Sequence, residues 1–364
     1  MNPIILLLLR QAVRFDDAKA RLLEKYLFRR KNPMKKIVAL FLTLIMVLGI
    51  CAVASAEDWK FERGITIVCP WGLGGGADGT IRPMATLLQN KLGVPVDVRN
   101  ETGGSGVTGA TFAYKEPADG YTFLLGTQSL YIQDMLDNMD FNFKDEFECE
   151  DILVHSINML AASKNQMEKY GITNFSELKE YAAAHPYEVS VAMLTTTGVD
   201  GMCFEIATEG LALNPVTYDD GSAINSDMAG GHVDLAVGGY DDMSGLIESG
   251  DIIPLLIFCE HRIDIAPDCE CTAELGIDSY AGPWRAIFAK KGTPQGAIDA
   301  LIAAIEECRE DATWQEFLKN AAYDQRTVPA PGEELQAFCL SEYKDLRDYM
   351  FEQETLEKDY DDLK

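Results

Sequence analysis

Pro70-Trp71-Gly72-Leu73-Gly74-Gly75-Gly76-Ala77-Asp78-Gly79 is the stretch on which the fold turns. It follows an apolar, β-branched run, Ile65 to Trp71, that reads as a strand. It opens a segment, Asp78 to Leu92, in which Ile81, Met84, Ala85, Leu88 and Leu92 recur on one side of a helix. Glycine lets a backbone turn tightly and approach a ligand closely. A helix start offers unpaired N–H groups and a partial positive charge, which suits an anion.

Two further loops repeat the arrangement. Thr102-Gly103-Gly104-Ser105-Gly106-Val107-Thr108-Gly109 follows a strand at Val94 to Arg99 and leads into a helix over Gly106 to Tyr114. Gly126-Thr127-Gln128-Ser129 follows a strand at Tyr121 to Leu125. Three consecutive strand-to-helix loops meet at the carboxyl ends of one sheet, where open α/β sheets bind ligands. Strands recur near Asn158–Ala162, Val189–Leu194, Pro215–Tyr218, Val233–Val237, Ile252–Phe258 and Arg285–Ala289, and the chain from Pro294 to about Asp361 reads as helices only. The alternation predicts an α/β fold with a largely parallel sheet in each of two domains. The chain has no repeats and no low-complexity linker, which suits domains joined by crossing strands.

The N-terminus reads as an address rather than a part of the fold. Met34-Lys35-Lys36 opens a basic segment, an apolar run extends from Ile37 to Ile50, and Ala54-Ser55-Ala56 precedes Glu57. These are the three parts of a secretory signal peptide over 34–56. The run is too short for a comfortable membrane span of about 20 residues. Leu48-Gly49-Ile50-Cys51 offers a lipoprotein cleavage box as the alternative, with Ile50 where a small residue is expected. Residues 1–33 carry no periodic core pattern and read as an upstream extension from an over-long start.

Cleavage after Ala56 leaves 308 residues with 21 basic and 55 acidic side chains, a net charge of −34. That argues against nucleic acid or an anionic membrane as partner. Eight cysteines remain, and an even number in an exported chain allows disulfides whose pairing the sequence does not give. Cys69, Cys203, Cys259 and Cys308 sit in apolar contexts that suit buried thiols. Cys269-Glu270-Cys271 has neither a zinc nor a thioredoxin spacing, so no metal site is expected.

Catalytic groups are hard to find. His155, His185, His232 and His261 are scattered without a clustered Ser or Asp partner. Ser105 lies outside a G-x-S-x-G context. Gly72-Leu73-Gly74-Gly75-Gly76-Ala77 formally matches a dinucleotide fingerprint, with Asp97 roughly 20 residues on. An exported dinucleotide- or anion-binding enzyme is therefore the competing reading. Asp219-Asp220 and Asp241-Asp242 suit solvated turns, although Asp241 and Asp242 follow a strand directed at the cleft, where an acid would meet a ligand ammonium group. Trp284 fits either hinge packing or the cleft wall.

Taken together, these blocks resemble the solute receptors of the tripartite tricarboxylate transporters, the Bug receptors, from about Ile65 to Tyr349. Pro70, Gly74, Gly75, Gly76 and Asp78 match the first family block, with Trp71 in place of Phe. Asn100, Gly103, Gly106, Gly109 and Ala110 fit the second, and Pro117-Ala118-Asp119-Gly120-Tyr121-Thr122-Phe123-Leu124-Leu125-Gly126 fits the third. Val216, Tyr218, Gly221, Asp227, Gly231, Val233 and Asp234 fit a later block, and Trp284 with Gly292-Thr293-Pro294 the last. Two positions depart: Asp219 replaces a Lys, and the loop Met193 to Gly201 lacks the family His.

The resemblance implies a type II periplasmic-binding-protein architecture, in which two α/β domains close around a ligand cleft and are hinged by crossing strands. It implies one domain at about 60–157 and 283–364 and the other at about 158–282. It implies a monomeric, exported receptor with no catalytic residues, cofactor or metal, which binds a small carboxylate and hands it to membrane permease subunits. The implied ligand-binding residues are Trp71, Leu73, Gly74, Gly75, Gly76, Asp78, Gly104, Ser105, Thr127, Ser129, Thr195, Thr196, Thr197 and Asp241. The leader gives the first testable outcome: Edman sequencing of the secreted protein should begin at Glu57, and a lipid-modified Cys51 would establish the alternative.

Overall fold

The computed structural model describes residues 59–356, apart from positions 197, 219 and 281; the expected upstream extension and signal peptide lie outside the described residues. The first sheet contains β1 (Ile65–Cys69), β2 (Val96–Asn100), β3 (Thr122–Gly126), β4 (Phe147–His155) and β10 (Trp284–Lys290), in the order β2-β1-β3-β10-β4. The second contains β5 (Asn158–Ser163), β6 (Ser190–Met193), β7 (Asn214–Thr217), β8 (Leu235–Gly239) and β9 (Ile252–Ile257), in the order β7-β6-β8-β5-β9. The chain passes from the first sheet to the second between His155 and Asn158, and returns between Ile257 and Trp284.

Neither sheet is largely parallel, contrary to the sequence expectation. β1 runs parallel to β2 and β3, and β6 runs parallel to β7 and β8. β10 is antiparallel to β3 and β4, and β5 is antiparallel to β8 and β9. The two strands that carry the chain between sheets, β5 and β10, enter from the opposite direction, and each creates a mixed sheet. β4 was not foreseen. Its sequence, Phe-Glu-Cys-Glu-Asp-Ile-Leu-Val-His, is broken by three acids, so it lacks an apolar run.

Helices α1 (Gly76–Leu92), α2 (Val107–Lys115), α3 (Ser129–Met135) and α4 (Phe143–Glu146) follow the first three strands. Alternating residues of β1 face opposite cores, as a strand dictates. Ile65, Ile67 and Cys69 pack with Ile81, Met84 and Leu88 of α1, whereas Val68 packs with Leu130 and Ile132 of α3. Around the second sheet lie α5 (Lys164–Tyr170), α6 (Phe175–Ala184), α7 (Val199–Ala207), α8 (Gly221–Gly230) and α9 (Tyr240–Ser249). The C-terminal helices α10 (Gln295–Arg309), α11 (Ala312–Asn320) and α12 (Glu333–Glu352) return to the first sheet, where α10 adds Leu301 and Ile305 and α12 adds Leu335 and Tyr343. Trp284 is fully buried in that core rather than on the cleft wall.

The two crossings between sheets lie side by side. Ser156 N–H donates to Pro283 C=O at 3.0 Å and Phe258 N–H to Asn158 C=O at 2.8 Å. A side chain at Gly282 would strike the Ser156 carbonyl, so the strands approach as closely as glycine permits. Gln128, at α3's N-cap, braces the returning crossing, donating to Gly282 C=O at 2.9 Å and accepting from Trp284 N–H at 3.1 Å. Arg326 donates to the Phe258 and Tyr280 carbonyls and faces His155, whose imidazole burial holds neutral, with its pKa lowered to about 3.

β4 is an edge strand, and its exposed carbonyls are covered by Arg309 of α10. The guanidinium donates to the carbonyls of Ile152 (2.9 Å) and Leu153 (3.3 Å) and pairs with the fully buried carboxylate of Asp151. Removing one partner of such a pair strands the other. Arg309→Met is expected to destabilise the fold by about 3 kcal/mol. The double variant Arg309→Met/Asp151→Asn should recover much of that, as read by urea unfolding.

Candidate functional site

The carboxyl ends of β1, β2 and β3 and the N-terminal ends of α7, α8 and α9 enclose a cavity of about 530 Å³ between the two sheets. That is the size range of small-molecule sites.

The first loop is shaped by its own residues. Gly74 takes a left-handed φ of +78°, and its N–H donates to Asp78 at 3.0 Å. Asp78 also pairs with Arg82 at 2.8 Å and accepts from Asn100 Nδ2 at 2.8 Å, while the same Asn100 amide donates to Trp71 C=O at 2.9 Å. Burial raises the Asp78 pKa, but hydrogen bonds from Arg82, Gly74 and Asn100 outweigh it and hold the carboxyl below its usual value. Asp78 therefore ties the first loop to β2.

The second loop strings together four left-handed residues: Gly103, Gly104, Ser105 and Gly106. A Cβ at Gly106 would meet Leu130, and one at Gly109 would meet Pro70 at 2.8 Å, so the helix packs directly on the first loop. Successive amides in such a turn form an anion-binding concavity. The N–H groups of Gly75, Gly104 and Ser105 form no hydrogen bond to a described residue.

The structure brings most of the implied residues together. Trp71, Leu73, Gly75, Gly76, Gly104 and Ser105 line the cavity from the first two loops, Thr127 and Ser129 from the third, and Thr195 from the facing half. Gly74 and Asp78 do not line it; Gly74 opens onto a shallower hollow shared with Asp241. Thr196 is exposed and outside it, and Thr197, like Asp219, lies outside the described residues.

Sequence reasoning missed Arg285. It lies on β10, is almost fully buried, and projects to the cavity floor. Its guanidinium pairs with Asp241 at 2.9 Å and Asp242 at 3.7 Å, and donates to Tyr323 Oη. Burial opposes its charge, but Asp241, Tyr323 and Asp242 more than offset that and keep it protonated. Asp242 accepts from Gly76 N–H at the start of α1, while Asp241 accepts from Ser156 Oγ. Burial, then repulsion from Asp241, pushes the Asp242 carboxyl up to about 7 against the opposing pull of Arg285. A Cβ at Gly76 would collide with the Arg285 guanidinium and both carboxylates. The available signal was the Asp241-Asp242 pair opening a helix after an apolar strand. Arg285, alone within an apolar strand, read only as part of that strand.

Asp97, the acid required by the dinucleotide reading, is an exposed mid-strand residue of β2 and does not line the cavity. Among the described residues, Cys259, Glu260 and His261 bring three potential metal-ligand atoms within 4.8 Å of one another, and none of the three lines the cavity.

Comparison with known proteins accords with this geometry. Protein BugT of Bordetella pertussis is 28% identical over 317 residues, covering 85% of this chain and 94% of BugT. Among solved structures, the periplasmic binding protein BugD is 24% identical with a TM-score of 0.71, covering 82% of this chain and 100% of BugD. An R. palustris protein with adipate is 24% identical with a TM-score of 0.72, covering 80% of this chain and 97% of that one. A sequence model described as "Tripartite tricarboxylate transporter family receptor" matches residues 80–336. With well over half its length so matched, the chain belongs to the tripartite tricarboxylate transporter receptor family, whose members are binding proteins and not enzymes.

Proposed function

We propose that this receptor binds a small carboxylate in the cavity between its sheets and delivers it, outside the cytoplasm, to the permease subunits of a tripartite tricarboxylate transporter. The observation that carries the proposal is the convergence of three strand-to-helix loops on one 530 Å³ cavity, with unpaired N–H groups at Gly75, Gly104 and Ser105. The solved relatives that carry adipate and malate support the ligand class. Two closing domains, about 60–157 with 283–364 and about 158–282, would meet over the ligand, and a monomer suffices for that. Among the described residues no helix is long and apolar enough to cross a membrane.

The ligand carboxylate is held by main-chain N–H groups and by the hydroxyls of Ser105, Thr127 and Ser129. Each charge-assisted bond is worth about 1.5–3 kcal/mol, and a few support micromolar affinity. No free cation is needed. Arg82 is paired with Asp78 and Asn100 and does not reach the cavity. Arg285 does reach it, but its charge is already matched by Asp241 and Asp242.

A thermal-shift panel of malate, adipate, glutarate and amino acids should raise the melting temperature with at least one member. Gly75 has extended backbone angles, and a Cβ there meets only the Gly72 carbonyl at 3.7 Å, so Gly75→Val should fold. Calorimetry should show Gly75→Val losing ligand binding, with Arg82→Ala losing much less. The opposite pattern would disprove main-chain recognition.

A further inference from the structure

Among the described residues, the carboxyl and basic side chains that line the cavity are Asp200, Asp220, Asp242 and Arg285, so acids outnumber cations by three to one. Among the described residues no lysine lines it, and the one guanidinium that does is engaged by Asp241 and Asp242. Asp220 is likewise occupied: it caps α8, accepting from Ala223 N–H at 2.9 Å and Ser222 Oγ at 2.8 Å. These hydrogen bonds hold its carboxyl below the usual range, and hence ionised.

Asp200 is the exception. It stands in the first turn of α7, and Asn158 Nδ2 donates to its Oδ1 at 2.8 Å. Among the described residues no cation forms an ion pair with it. Its neighbourhood is the buried acid pair and Arg285, and burial raises its pKa. Asn158 is itself fully buried, so the amide holds the carboxylate in place from behind.

This charge pattern has a consequence for the ligand. A dicarboxylate seated on the glycine loops would bring its second carboxylate among Asp200 and Asp220 with no unpaired cation to receive it. Like charges brought together in a desolvated cavity repel. A ligand with an ammonium group in that place would instead supply the donor and positive charge that Asp200 lacks.

Building on the carboxylate-receptor reading above, we propose that the ligand is an ammonium-bearing carboxylate, with its carboxylate on the Gly75 and Gly104–Ser105 amides and its ammonium group on Asp200.

Four probes sharing a five-carbon skeleton test it: pentanoate, 2-aminopentanoate, 5-aminopentanoate and glutarate, each titrated by calorimetry into the mature protein at neutral pH. One of the two amino acids should bind at least about tenfold more tightly than both glutarate and pentanoate, the increment expected of a charge-assisted bond. Asp200→Asn, which keeps the acceptor for Asn158, should collapse that ratio toward one, with an unchanged circular dichroism spectrum confirming the fold. Glutarate binding as tightly as the better of the two amino acids overturns this proposal and leaves the carboxylate reading intact. An amino-acid preference that survives Asp200→Asn also overturns it. If neither these probes nor the wider carboxylate panel binds, the carboxylate reading falls, and this proposal falls with it.

Discussion

The meeting of the α1 N-terminus with Arg285, Asp241 and Asp242 organises the molecule. Arg285 and Gly76 belong to the first sheet and its first helix; the two aspartates open α9 after a strand of the second. Gly76 N–H donates to Asp242, and Arg285 reaches both acids, so one cluster joins the two halves across the cleft. It depends on the absence of a side chain at position 76. The glycine run is thus more than a ligand cradle: one of its members allows an ion-pair network to form where a Cβ would separate the partners. A buried pair of this kind is weak evidence for stability, but loss of a single member is costly because it strands a buried charge.

Much of the fold was legible in the chain. β1, β3 and β9 are uninterrupted apolar or β-branched runs, α1 has a clear helical period, and the glycine loops mark the turns between them. β4 was not legible, because Glu148, Glu150 and Asp151 interrupt it and Asp151 is tolerated only through Arg309, distant in sequence. Strand direction was not legible either. Local periodicity carries no information about which neighbour a crossing strand will join, so the reversed entry of β5 and β10 emerged only in three dimensions.

The cavity shows the same division. Loops announced themselves through glycine, and most residues read from them do line the cavity. Asp78, carried over with the first family block, stands outside the cavity lining, and its oxygens are taken by Gly74, Arg82 and Asn100. Arg285 was overlooked because a lone cation within an apolar strand gives no periodic signal. A chain of such negative charge can still receive an anion: at physiological salt distant charges are screened over roughly 8–10 Å, which leaves the local amides to decide.

Trp71 gives the cleft an optical property of its own. Of the four tryptophans, Trp284 and Trp314 are sealed in the core, Trp59 is packed against Phe61 and Tyr121, and Trp71 alone lines the cavity. Its indole sits beside the loops proposed to meet the solute, where filling the cleft would displace water. On that reading, occupancy is coupled to the polarity around a single chromophore, and intrinsic emission would carry a label-free record of filling against a nearly constant background from the other three.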